Sequence, residues 1–214
     1  MRITSRKVRK YWDYMSKHYD TKILQKEDDL IEVIEAAKGK NVIQLVANLA
    51  KLNEGDEIGL VAMFLDRIDM VDVEKFMTRY TTTLADRIYV PFEIGDDSTH
   101  SLEAQIKICT HEHEHVLQYR DKPIEFIVRY LSDRAQRAIY EADAFRCNME
   151  IERLLTGKAP RATGYANILK DYGCTDADIM VVEKMLRLSR QTIAAGGTIT
   201  RAGQVGCRWL KKNL

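Results

Sequence analysis

Residues 110–116 read Thr-His-Glu-His-Glu-His-Val, and this run constrains the chain more than any other. It contains H-E-x-x-H, with His111 and His115 four positions apart. At about 100° per residue on an α-helix, the two imidazoles lie one turn apart on one face, where a single ion can bind both. His113 stands about 200° from His111 and is expected to be a bystander. Zinc takes nitrogen, sulfur and carboxylate donors in a tetrahedral array, and a catalytic zinc keeps one position for water. Glu112 directly follows the first histidine, where it could take a proton from that water. Glu114 lies on the other flank, off the side that the motif uses.

The rest of the chain sets the context for such a helix. At 214 residues it is long enough for one substantial domain, or a domain with a helical appendage. Three prolines, with abundant Leu, Ile, Ala, Glu, Lys and Arg, point to a mostly helical protein. Lys and Arg number 33 against 32 acidic residues, so net charge offers no global case for a nucleic-acid or membrane partner. Cys109, Cys147, Cys174 and Cys207 are scattered without a C-x-x-C pair and read as free or buried thiols of a reducing compartment. The first twenty residues lack an apolar stretch of the signal-peptide kind, and no segment approaches the roughly 18 apolar residues of a membrane span. A cytoplasmic location is therefore expected.

Val8, Trp12, Met15 and Tyr19 form a helical stripe, and further helical patterns cover 27–37, 41–52 and 58–70. A basic cluster beside Tyr11 and Trp12 could touch nucleic acid, but a solvated helix face with an apolar stripe is far commoner and is the reading expected here. The texture changes after Phe76. Residues 77–83 and 87–92, joined by Ala85-Asp86, read as a β-hairpin, with Pro91 marking the second strand as an edge or an end. An edge over Ile88, Tyr89 and Val90 could pair with a peptide substrate; the alternative is a ribbon that covers the core. Ser101 is the expected N-cap of a helix from Leu102 to about Arg120, and Pro123 opens a second helical region that ends at Thr156-Gly157, with a break near Ser132-Asp133. In that region Ala138, Ala142, Phe145 and Met149 form an apolar stripe with Glu141 on its flank. A carboxylate held against an apolar surface needs a partner, and a metal would serve, as would a salt bridge to Arg134 or Arg137. Asp143 points away and is expected in solvent or paired with Arg146. Three more helical patterns follow: 165–171, then from the Thr175 cap to about Ala195, and about 200–212.

The H-E-x-x-H run, the preceding hairpin and Tyr140-Glu141-Ala142-Asp143-Ala144-Phe145, whose glutamate lies 26 residues after His115, together resemble the gluzincin branch of the zincin metallopeptidases. The E-A-D-A-F wording is similar to the third-ligand segment of small zinc peptidases, including compact ones of phage and bacterial genomes. The resemblance covers about residues 76–155. It implies a mainly α (α+β) fold with a zincin-like core, one Zn2+ per chain held by His111, His115 and Glu141, Glu112 as general base, and a protein or peptide substrate. Read along its length, the chain is expected to form three regions within one compact domain: helices of 1–75 packed on the core, the metal-binding core of 76–157, and C-terminal helices of 158–214. Many gluzincins carry an aspartate four residues after the ligand glutamate to orient the first histidine; Phe145 stands there in this chain. Tyr119 and Tyr140 are the candidates for stabilising an oxyanion. The alternative is a non-catalytic zincin-like assembly or interaction protein with a structural metal.

Overall fold

Helix boundaries in this computed structural model, which describes residues 3–26, 78 and 80–214, follow local capping chemistry. The patterns at 27–37, 41–52 and 58–70 lie outside the described residues. In α1 (Ser5–Tyr19) the Thr4 hydroxyl accepts from Lys7 N at 3.4 Å, and the stripe Val8, Trp12, Met15 and Tyr19 is buried as expected. Ser101 caps α2 (Leu102–Asp121) by accepting from Ala104 N at 3.2 Å. Pro123 occupies the first turn of α3 (Pro123–Ser132), where its missing N–H costs nothing. Asp133 then caps α4 (Arg134–Thr156), which places the break where the sequence suggests it, and α4 ends at Gly157 with φ of 73°. After α5 (Ala162–Ile168), a 3₁₀ turn over Leu169–Tyr172 leads to a Thr175–Asp178 capping box, α6 (Asp176–Ala194) and the Thr200-capped α7 (Arg201–Asn213). The protein is thus mainly helical, with one small sheet among the described residues. No described helix is long and apolar enough to cross a membrane.

The sheet corrects one expectation. Strands β2 (Thr82–Leu84) and β3 (Arg87–Val90) form the hairpin, antiparallel with Thr82 opposite Tyr89. A further strand, β1 (Lys22–Gln25), pairs parallel to the other side of β3, with Leu24 opposite Tyr89. The order is β1-β3-β2, so β3 is the central strand and not an edge. Its backbone is paired on both sides, and Ile88, Tyr89 and Val90 are at most 1% exposed. These three residues therefore cannot receive a substrate strand. Pro91 directly follows the last residue of β3, where its missing N–H breaks no ladder.

Helix α4 lies between two apolar clusters. One joins Val8, Trp12 and Met15 of α1 to Ile88 and Val90, to Ile106 and Val116 of α2, to Ile151 of α4 and to Leu210 of α7. The other packs Ala142, Phe145 and Met149 of α4 against Leu169 and against Val182 and Leu186 of α6. Met149 and Ile151 are about 200° apart on α4, one in each cluster. Each fully buried side chain of this size contributes about 1.5–3 kcal/mol, so the rotation of α4 about its axis is fixed from both sides. Glu141 and Asn148 project along the seam between the clusters, towards α2.

Candidate metal centre

Six consecutive polar residues of α2, Thr110 to His115, are each 6% exposed or less, and each meets a different neighbour. Thr110 donates to the Ile106 carbonyl at 3.0 Å and accepts from the Tyr11 hydroxyl at 2.7 Å. His113 Nδ1 lies 2.6 Å from the Cys109 carbonyl, which can only accept, so this nitrogen carries the proton and Nε2 accepts from Thr21 Oγ1 at 3.0 Å. Burial lowers the His113 pKa to about 4, keeping the ring neutral. Glu114 reaches the start of α7 and accepts from Ala202 N at 2.9 Å. The bystander histidine and the second glutamate are thus packing groups, as the helical geometry requires. Burial raises the Glu114 carboxyl despite that bond.

The remaining residues converge with α4. His111 Nε2 lies 3.1 Å from His115 Nε2 and 3.4 Å from Glu141 Oε2, and His115 Nε2 lies 3.4 Å from Glu141 Oε1. Donors held 2.0–2.1 Å from a tetrahedral ion stand about 3.3 Å apart, so the spacing is that of three ligands around one cation. Among the described residues this is the His/Cys/Asp/Glu group able to hold a metal. Glu141 Oε2 is buried without a hydrogen-bond partner, an arrangement that a bound cation would satisfy. Burial by itself would raise the Glu141 carboxyl, but His115 and His111 hold it well below the usual carboxylate range. Burial would likewise lower His115; the charge of Glu141, with its hydrogen bond, outweighs this and pushes His115 up to about 9.

Each histidine is oriented from behind. Gln118 Nε2 donates to the Tyr140 carbonyl at 3.0 Å, which turns Gln118 Oε1 towards His115 Nδ1 at 2.8 Å. The His115 proton is thereby placed on Nδ1, which leaves Nε2 able to bind a metal. The Asn148 amide lies 3.3 Å from His111 Nδ1, while Asn148 Oδ1 is buried and unpaired. A half-turn of this amide pairs Oδ1 with an Nδ1 proton and frees His111 Nε2 in the same way. Phe145, four residues after Glu141, packs its ring 5.4 Å from that of His111. Asn148, seven residues beyond Glu141 and so on nearly the same face of α4, supplies the polar partner instead.

Glu112 Oε2 accepts from Thr83 Oγ1 of β2 at 2.7 Å. The salt-bridge alternative for Glu141 does not occur with Arg137, whose guanidinium donates to the carbonyls of Tyr130, Leu131 and Tyr172. Asp143 pairs with Arg146 as expected. The four cysteines are free thiols, and none joins the cluster.

Of the two tyrosines expected near the metal, neither hydroxyl forms a hydrogen bond to His111, His115 or Glu141. Tyr119 is raised by burial and by the charge of Asp86 in the hairpin turn. Tyr140 packs edge-on against Phe126 at 4.8 Å, amid the charges of Glu125, Arg129 and Lys122. The hydroxyl that meets the cluster is Tyr130, which donates to Glu141 Oε1 at 2.5 Å. Burial keeps the Tyr172 phenol protonated, aided by the charges of Glu141 and Glu112. Lys26 is also fully buried, its pKa lowered by burial to about 7 against the opposing charge of Glu112. No sequence pattern marks Tyr130 or Tyr172, whereas the Glu141–Asn148 spacing of two helical turns is a signal that periodicity carries.

No family model, curated protein or solved structure matches this chain.

Proposed function

We propose that this protein is a zinc-dependent metallopeptidase of the gluzincin kind. The observation that carries the reading is the buried set His111 Nε2, His115 Nε2 and Glu141 Oε2 at ligand spacing, with Glu112 directly after the first histidine. Three donors without a cysteine suit zinc with one position left for water or substrate. When bound, the ion would polarise the scissile carbonyl and lower the pKa of a water molecule.

The chain's own groups do the rest. Glu112, steered by Thr83 through one carboxylate oxygen, takes the proton from the attacking water on the other and passes it to the leaving amine. Tyr130 fixes the rotamer of Glu141, and Arg137 anchors both tyrosine-bearing segments by their carbonyls. With β3 internal, the strand available to align a peptide is β2, the outer strand of the hairpin among the described residues and the one that touches Glu112.

The full burial of all three ligands favours a second reading, in which the metal only stabilises a non-catalytic protein. Elemental analysis and peptide-library digestion of the parent, His111→Ala, Glu141→Ala and Glu112→Gln separate the two. The peptidase reading expects about one zinc per chain, lost in the two alanine variants, and a zinc-replete Glu112→Gln protein without hydrolysis. Zinc retained in both alanine variants would overturn the site. A parent protein that holds zinc but cleaves no peptide in the library would leave the structural reading.

A further inference from the structure

The even total charge conceals a strong local asymmetry. Helix α1 carries five Lys and Arg residues against one aspartate, and α7 carries four against no acidic residue. Two helices that pack together thus hold a formal +8 in a chain whose total is +1. Arg6, Lys10, Lys211 and Lys212 are exposed and have no ion pair among the described residues.

Between these helices runs an open groove of about 560 Å³ lined by Lys10, Tyr14, Lys17 and His18 of α1 and by Trp209 and Asn213 of α7. Its floor is aromatic. The Tyr14 ring stacks on His18 at 5.9 Å and 22°, and lies 6.0 Å from Trp209 at 32°. Trp209 is in turn supported from below by buried Tyr11 at 5.3 Å, which holds the indole in place. Lys17 pairs with Asp13 at 3.0 Å, the one acidic side chain at the rim. None of the metal-site residues lines this groove.

We infer that the α1–α7 groove is a binding site for single-stranded nucleic acid, with bases stacked on Tyr14 and Trp209 and phosphates held by Lys10, Lys17 and the flanking Arg6 and Lys212. Flat π-faces beside a line of cations match a strand that presents a base and a phosphate at every step. A membrane surface fits less well. A helix lying on lipid turns large apolar side chains outward, and the exposed ones among the described residues, such as Met180, Val181 and Leu188, lie outside α1 and α7. The inference stands apart from the proposed hydrolysis and survives its failure.

Fluorescence anisotropy with a labelled oligothymidylate of about 15 nucleotides tests it on the full chain. Four phosphate contacts give a salt slope near −2.8, so affinity should fall about 50-fold between roughly 50 and 200 mM salt. The emission of Trp209 should be quenched on binding, and the quench should vanish in Trp209→Phe, since the other tryptophan, Trp12, is buried. Lys10→Glu with Lys17→Glu should weaken binding at least about tenfold and flatten the salt slope. If that pair lowers the melting temperature, Lys212→Glu alone should still weaken binding. Equal affinity of variant and parent, equal affinity for a duplex of the same length, or capture by phosphatidylserine vesicles in place of the oligonucleotide would each overturn the inference.

Discussion

Asn148→Ala is expected to weaken zinc binding about 10–100-fold, or about 1.4–2.7 kcal/mol, without unfolding the protein. Asn148 is half-buried on α4, and its amide is the polar group 3.3 Å from His111 Nδ1. His111 is 6% exposed, so water has little room to replace the amide once it is removed. The imidazole then loses both its orientation and the hydrogen bond that makes Nε2 a better donor, and that loss sets the size of the effect. Asn148→Asp should bind at least as tightly as the parent, because a carboxylate accepts the Nδ1 proton in either rotamer. Competition against a chromophoric chelator at fixed pH measures all three proteins, with thermal melts confirming that each is folded. Unchanged zinc affinity in a folded Asn148→Ala protein would refute the reasoning, as would an aspartate variant as weak as the alanine one.

Proton competition follows from His115, whose pKa in the metal-free protein is pushed up to about 9. Zinc takes the neutral ring, so below about pH 9 a proton must leave for each ion bound, and affinity should fall about tenfold per pH unit between 8 and 6. A flat profile in the chelator assay would contradict it. His113→Leu should keep one zinc per chain while lowering stability by about 1–3 kcal/mol in urea titration, because Thr21 loses its buried acceptor. Gly203→Ala should destabilise by about 3 kcal/mol or more, since a Cβ there would overlap Glu150 Oε2 and Thr200 Oγ1. That carboxylate also accepts from Ile199 N and Thr200 N, at 2.5 and 3.0 Å. Gly164→Ala, in α5 with nothing within 4 Å of the new methyl, should instead stabilise by about 0.5–1 kcal/mol, and calorimetry of the two variants checks the contrast.

The parts legible in the sequence are those governed by contacts within a few residues. Ser101 and Thr175 cap helices because a short polar side chain reaches the backbone N–H three positions on, and such a bond needs no distant partner. The same locality separates His111 and His115 from His113: helical pitch alone puts two rings on one side and the third on another. Glu141 was readable as a carboxylate on the flank of an apolar stripe, although its meeting with the histidines depends on α4 packing across α2. Tertiary structure decided what lies between segments far apart in the chain. Strand β1, about sixty residues before β3, makes that strand internal and removes the edge over Ile88 to Val90. Tyr130 reaches Glu141 from α3, the helix that packs against α4, a meeting that no local pattern in the sequence encodes. Hydrophobic burial specifies which face of a helix turns inward without specifying the neighbour it meets. That choice belongs to the packing of the whole core, where Met149 and Ile151 lock α4 and so aim Glu141 and Asn148 at the same pair of histidines.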